Sequence, residues 1–173
     1  IVASIHREEN LDIKDNFEGI IKGIDKVSDR YKLPVIFSTH PRTRRKIESL
    51  NIKTDSIKFI NPLGFFDYVQ LQSKAFVTLS DSGTISEESA IMGFPAVSVR
   101  TSTERPEAID YGSIVLGNID KDSMVQSVEI AVKTFSEDHL EIPHEYYAEN
   151  VSTRIVKVIQ GYTSVVNREI WKK

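Results

Sequence analysis

The run Ser80-Asp81-Ser82-Gly83-Thr84-Ile85-Ser86-Glu87-Glu88 lies between an apolar, strand-like segment and a helical pattern that stops at Gly93. A loop of small residues in that position leaves backbone N–H groups without intrahelical partners, and the helix dipole adds partial positive charge there. That combination suits a phosphate held by Ser82, Gly83 and Thr84. The same loop also reads as a plain strand-to-helix turn closed by a capping box, with Thr84 at N-cap and Glu87 at N3. Glu87 then serves the cap, and Glu88 is the free carboxylate, able to accept both hydroxyls of a ribose.

Other candidate groups follow strands. His6-Arg7 ends an apolar run, and such a pair can neutralise and protonate a phosphoryl oxygen, although a lone His there is equally a satisfied structural histidine. Glu8 and Glu9 read as first-turn helix charges. His40-Pro41 follows the second strand and reads either as part of the same rim or as a Pro-directed turn. Arg105, in Thr103-Glu104-Arg105-Pro106-Glu107, offers the planar fork that phosphates prefer, or else simply precedes a helix with Pro106 at N1. Tyr68 sits in the helical segment Phe65-Phe66-Asp67-Tyr68-Val69-Gln70-Leu71, where the choices are core packing or stacking near a base. His139 and His144 are assigned no role.

The elements that must position these groups alternate. Strands are expected over 1–5, 34–38, 57–60, 75–79, 96–99 and 113–116. Between them, Ile13, Phe17, Ile20, Ile21, Ile24 and Val27 recur at helical spacing, as do Val125, Val128, Ala131 and Val132. The pattern predicts an α/β, Rossmann-like, doubly wound parallel sheet of six strands with helices on both faces. In the strand order 3-2-1-4-5-6, the crevice opens at the carboxyl ends of strands 1 and 4. His6-Arg7 and the Ser82–Thr84 loop would meet there.

After an irregular segment over 136–150, Val151, Ile155, Ile159, Tyr162 and Val166 form the stripe of a long helix. The expected division is a nucleotide-binding domain over 1–150 and a helix over 151–173 that docks on a missing upstream domain. The chain opens inside a strand without Met, which reads as a piece of a longer polypeptide.

Composition narrows the function classes. The 173 residues are 40% hydrophobic and 27% charged, ordinary for one globular domain. A net charge of −3 gives no electrostatic footprint for nucleic acid or an anionic membrane. The sequence has no cysteine, which excludes disulfides and thiolate metal sites and suits a cytoplasmic setting. No GxGxxG, GxxxxGK[ST] or HExxH motif is present, so no nicotinamide, flavin, P-loop or zinc chemistry is indicated, and no cofactor is expected. A diphosphate at a helix N-terminus with an acidic ribose partner points to a nucleotide sugar.

On five motifs in order, His6-Arg7-Glu8-Glu9-Asn10, His40-Pro41, Pro62-Leu63 with Tyr68, Asp81 to Glu88, and Thr103 to Glu107, the chain resembles the carboxy-terminal domain of the non-hydrolysing UDP-N-acetylglucosamine 2-epimerases. The resemblance implies one half of a two-domain GT-B fold, with substrate held between the halves. It implies epimerisation at C2 of a UDP-N-acetylhexosamine by elimination and re-addition of UDP, with most proton-transfer carboxylates in the absent half. His6 matches a catalytic histidine at the diphosphate, Ser82, Gly83 and Thr84 the phosphate loop, Glu88 the ribose ligand, and Arg105 an arginine on UDP. Arg7, His40, Leu63 and Tyr68 complete the expected UDP site, with Tyr68 where Phe is usual. The implied partners are a UDP-sugar, the missing amino-terminal domain and a second copy in a homodimer.

Thr84 replaces a commoner Gly, Ser86 a commoner Gln, and Thr101-Ser102-Thr103 a commoner Asp-Thr-Thr. These departures resemble the branch serving capsule or O-antigen precursors, including UDP-N-acetyl-L-fucosamine. Two other classes compete. The donor domain of a GT-B glycosyltransferase would share fold and loop but is not expected to carry both HREEN and TERPE. A receiver-like module needs an acceptor Asp after strand 3 and a Lys after strand 5, where this chain has Asn61-Pro62-Leu63 and Arg100-Thr101-Ser102.

Overall fold

The computed structural model describes residues 1–111, 114–137 and 141–173, so the expected start of strand 6 at Ser113, and His139, lie outside the described residues. The strands are β1 (Val2–Ser4), β2 (Val35–Ser38), β3 (Ile57–Ile60), β4 (Thr78–Ser80), β5 (Ala96–Val99) and β6 (Val115–Gly117). The helices are α1 (Glu8–Leu11), α2 (Lys14–Tyr31), α3 (Pro41–Ser49), α4 (Phe65–Ser73), α5 (Ile85–Met92), α6 (Pro106–Asp110), α7 (Lys121–Glu137) and α8 (Val151–Glu169). The contacts divide the chain into two units, Ile1–Pro143 and His144–Lys173.

In the first unit all six strands are parallel, in the order β3-β2-β1-β4-β5-β6, the common doubly wound order taken above for the crevice. Several strand ends differ, among them those of β2, which begins at Val35, and β6, which runs on to Gly117. Strand β1 is shorter than 1–5, and β4 begins at Thr78 instead of Ala75 because its ladder pairs Thr78, Leu79 and Ser80 with Val2, Ala3 and Ser4. Hydrogen-bond register, not the extent of the apolar run, sets the ends.

Burial explains why the strands lack a clean polar alternation. All four residues of β5 are buried, so both faces of the sheet are covered there. The core gathers Ala3, Phe37, Leu79, Val97 and Val99 from the sheet with Phe17, Ile20 and Ile24 of α2 and Met124 and Val128 of α7. Helix α2 presents this apolar face at the predicted spacing. A Cβ on its Gly23 would lie 2.8 Å from the Met124 sulfur, so the small residue sets how closely α2 and α7 approach. Pro41 and Pro106 open α3 and α6, where no amide donor is missed. Helix α5 ends at Gly93 in the left-handed conformation (φ 66°).

The chain runs from β1 outward to β2 and β3, then returns to β4 beside β1. The order therefore reverses between β1 and β4, where a doubly wound sheet leaves a crevice at the strands' carboxyl ends. The second unit holds a short 3-10 turn (His144–Tyr147) and α8, a nineteen-residue helix with no buried residue, whose Val151, Ile155, Ile159 and Tyr162 are exposed.

Candidate functional site: the polar rim of the β1/β4 crevice

Asp81, the first residue after β4, is completely buried and organises the crevice. Its carboxylate accepts the backbone N–H of His6 (3.0 Å to Oδ1) and of Arg7 (2.9 Å to Oδ2) and the Asn10 side-chain amide (3.0 Å). His6 Nδ1 lies 3.0 Å from Asp81 Oδ1. Arg7 Nε donates to the Asp81 carbonyl at 2.8 Å, and the Asn10 amide also reaches the Val99 carbonyl at 3.1 Å. The segment leaving β1 is thus tied to the ends of β4 and β5. Burial pushes the Asp81 carboxyl up, but its bonds from His6, Arg7 and Asn10 outweigh this and hold it below the ordinary range. The His6 imidazole moves up, chiefly through its hydrogen bond with Asp81 and against burial.

Beyond Asp81, Ser82 N–H donates to the Ser80 hydroxyl at 3.1 Å, and the Ser82 and Thr84 hydroxyls are 2.9 Å apart. Thr84 is the N-cap of α5, yet its side chain makes no capping bond. The expected capping box is therefore not formed. Thr84 has helical backbone angles (φ −69°, ψ −12°), unlike the extended geometry that aims a cap side chain at its amides. Its hydroxyl instead donates to Glu88 Oε1 at 2.9 Å, while Glu87 accepts Arg105 Nε at 2.5 Å.

Glu88 is not a free carboxylate either, since Gln72 Nε2 donates to its Oε2 at 2.8 Å. Gln72 is buried, so Glu88 is braced from below and has its remaining lone pairs available to a ligand. The amides of Gly83, Thr84 and Ile85 sit at the start of α5, where the helix supplies no acceptor.

Arg105 reaches this loop directly. A Cβ on Gly83 would stand 2.9 Å from Arg105 Nη1 and 3.3 Å from its Cζ. Gly83 is not in the left-handed region, so the position needs glycine for space and not for backbone freedom. The loop carrying Arg105 is anchored by Arg100, a buried residue at the end of β5 whose fork grips Glu104 at 2.9 and 2.7 Å. That pairing holds the Glu104 carboxyl down at about 2.

The remaining predicted residues occupy neighbouring loops. Tyr68, on α4, tucks its hydroxyl toward Ser4, and burial pushes that group up to about 12. It is a partly buried residue under the rim. Phe65 and Phe66 of the same helix are exposed at 71% and 84% and pack edge to face on each other. Leu63 is exposed on the loop after β3, and His40 caps α3, its Nδ1 accepting Arg42 N–H at 3.3 Å. Neither is hydrogen-bonded to the Ser82–Thr84 loop.

The structure thus joins His6 and Arg7 through Asp81, Ser82, Thr84 and Glu88 in one chain of contacts, and Gly83 with Arg105. Sequence reasoning gave no role to Asp81, Asn10, Gln72 or Arg100. A carboxylate placed immediately after a buried strand at the switch point was the available signal for Asp81. Among the described residues no cluster of His, Cys, Asp or Glu could hold a metal ion, and no helix is long and apolar enough to cross a membrane.

A doubly wound parallel sheet whose strand order reverses between β1 and β4 is of the Rossmann-like α/β class. The family model for UDP-N-acetylglucosamine 2-epimerase matches residues 1–160, and the chain belongs to that family. It is 34% identical over 134 residues to a UDP-N-acetylglucosamine 2-epimerase of Methanocaldococcus jannaschii, an alignment covering 75% of this chain and 37% of that protein. A UDP-2,3-diacetamido-2,3-dideoxy-D-glucuronate 2-epimerase of Pseudomonas aeruginosa is 32% identical over 139 residues, covering 80% and 39%. The crystal structure of the Methanocaldococcus jannaschii enzyme in complex with UDP-GlcNAc and UDP superposes with a TM-score of 0.81 at 30% identity, covering 92% of this chain and 44% of that one. The chain therefore spans under half the length of these relatives.

Proposed function

We propose that this chain is the nucleotide-binding half of a UDP-N-acetylhexosamine 2-epimerase of GT-B architecture, acting in the cytoplasm on precursors of bacterial surface polysaccharide. The observation that carries the reading is the convergence of three devices on one crevice: the open start of α5, Arg105 against Gly83, and His6 set by Asp81. The amides and hydroxyls of Ser82, Gly83 and Thr84 hold the diphosphate, Arg105 and Arg7 neutralise it, and Glu88 takes the ribose hydroxyls. His40, Leu63 and Tyr68 border the nucleotide. Family membership and the relatives solved with UDP-GlcNAc support the same assignment.

In the whole protein a base removes the proton at C2 as the C1–O bond breaks, UDP departs, and a 2-acetamidoglycal remains. Protonation of C2 from the other face and return of UDP to C1 give the epimer. The charge that grows on the leaving diphosphate falls on His6, Arg105 and the α5 amides, which stabilise it where it develops. The proton-transfer groups and the wall around the sugar belong to the other half, on which the apolar stripe of α8 docks; two such chains form the working dimer.

The test gives the full-length protein UDP-GlcNAc in deuterated water with no acceptor. Interconversion of C2 epimers with deuterium entering at C2 supports the epimerase. Strict dependence on an acceptor would make the chain a glycosyltransferase donor domain instead.

A further inference from the structure

Asp81 is wholly buried and is surrounded by donors: two backbone amides, the Asn10 amide and the edge of the His6 ring. Three amide N–H groups point at this carboxyl and favour its ionised form, and although Nδ1 of a neutral ring could accept a carboxyl hydrogen, imidazole is the stronger base of the two, so the proton belongs on the ring and the carboxylate is the form this geometry holds. An ionised acceptor facing Nδ1 requires a hydrogen on that nitrogen, because two lone pairs would repel. The ring's other nitrogen, Nε2, is left for the open side of an imidazole whose side chain is 44% exposed. Among the described residues His6 is the only side chain within ion-pair distance of the Asp81 carboxylate. A charge buried without a partner is costly, and protonation of His6 relieves it.

We propose that Asp81 is a positioning residue that fixes His6 with Nδ1–H inward and presents Nε2–H outward as a cation, making nucleotide diphosphate binding at this crevice proton-linked. The inference rests on the diphosphate reading given above and names how that site is controlled. The groups that bear on His6 are Asp81 from the end of β4, which favours the cation, and Arg7 beside it, which opposes it. Arg7 is itself engaged by the Asp81 carbonyl and by Glu9, 3.4 Å away. Tyr68, from α4, stays neutral through this range. The balance of these influences is upward for His6, in keeping with the geometry.

Two measurements on this chain separate the possibilities. Nitrogen-15 NMR of His6 without ligand is expected to show the Nδ1–H tautomer at high pH and titration above the ordinary value of about 6.5. The Nε2–H tautomer, or titration at or below that value, would overturn the proposal. Asp81→Asn should return His6 to the ordinary range; if that variant does not fold, tautomer and titration in the unaltered chain decide the matter.

Calorimetric titration of UDP at several pH values, with His6→Gln as the reference for ionisation of UDP itself, gives the second reading. Affinity should fall by about tenfold as His6 deprotonates, beyond the change in the variant, the scale of a charge-assisted hydrogen bond. Equal pH dependence in both proteins would refute the linkage. Failure of UDP to bind at any pH, with the tautomer as stated, would sink the diphosphate reading while the Asp81–His6 geometry stood.

Discussion

Glu88→Gln tests the ribose assignment with little change of shape. In the folded chain Glu88 Oε2 accepts Gln72 Nε2 at 2.8 Å and Oε1 accepts the Thr84 hydroxyl at 2.9 Å. A glutamine can turn its carbonyl oxygen to buried Gln72 and its NH₂ to Thr84, whose hydroxyl rotates to accept. The fold then loses one charge-assisted bond at a partly exposed position and keeps both contacts, a cost of about 1 kcal/mol or less.

Ligand binding has no such escape. With the carbonyl oxygen committed to Gln72, the NH₂ meets the ribose hydroxyls without accepting from them, and about 1–2 kcal/mol of UDP affinity is lost, or roughly five- to thirtyfold. Isothermal titration with UDP and with its 2′-deoxy analogue closes a double-mutant cycle. The unaltered chain should bind the deoxy analogue more weakly than UDP, and Glu88→Gln should discriminate less. Unchanged UDP affinity, or full discrimination retained in the variant, would remove Glu88 from the ribose.

Three further outcomes follow from the same geometry. Gly83→Ala places a methyl against the Arg105 guanidinium, the mobile end of a long side chain, so thermal stability should shift by about 1 kcal/mol or less while UDP affinity falls roughly tenfold; unaltered affinity would separate Arg105 from the phosphate site. Because the folded-state Asp81 carboxyl is held below its unfolded value, it contributes stability above about pH 4 that is lost as the pH falls through its folded value, and Asn10→Ala should weaken that acid dependence in urea melts; an identical acid profile would mean the Asn10 bond does not hold the carboxylate. In the full-length protein His6→Ala should lower kcat by about 100-fold or more with a modest change in KM, since its interaction grows with charge on departing UDP; an effect confined to KM would demote it to a ligand contact.

Much of this arrangement was legible in the sequence for an identifiable reason. The β-branched runs and the spacing of Phe17, Ile20, Ile24 and Val27 report burial directly, so the parallel sheet and its helices followed, whereas the strand order, and with it the crevice, rested on the common doubly wound arrangement and not on particular residues. Side-chain commitments did not follow. Thr84 and Glu87 have capping-box spacing, but the helical backbone at Thr84 and the arrival of Arg105 from a loop distant in sequence gave both residues other partners. Gln72 is buried under Glu88, while Phe65 and Phe66 stand exposed, and the helical pattern of their segment distinguishes neither. The place of Asp81 after a buried strand is visible in the sequence, but its complete burial, which shows what it holds together, is a property of the assembled sheet.

The central claim is that the β1/β4 crevice of this chain binds a uridine diphosphate. The direct test is an amide chemical-shift titration of the isotope-labelled chain with UDP. The account predicts saturable shifts concentrated at Ser82 to Glu88, His6, Arg7 and Arg105, with smaller changes at Leu63 and Tyr68 and none along α2. Shifts centred elsewhere, or no saturable response up to millimolar UDP, would contradict it.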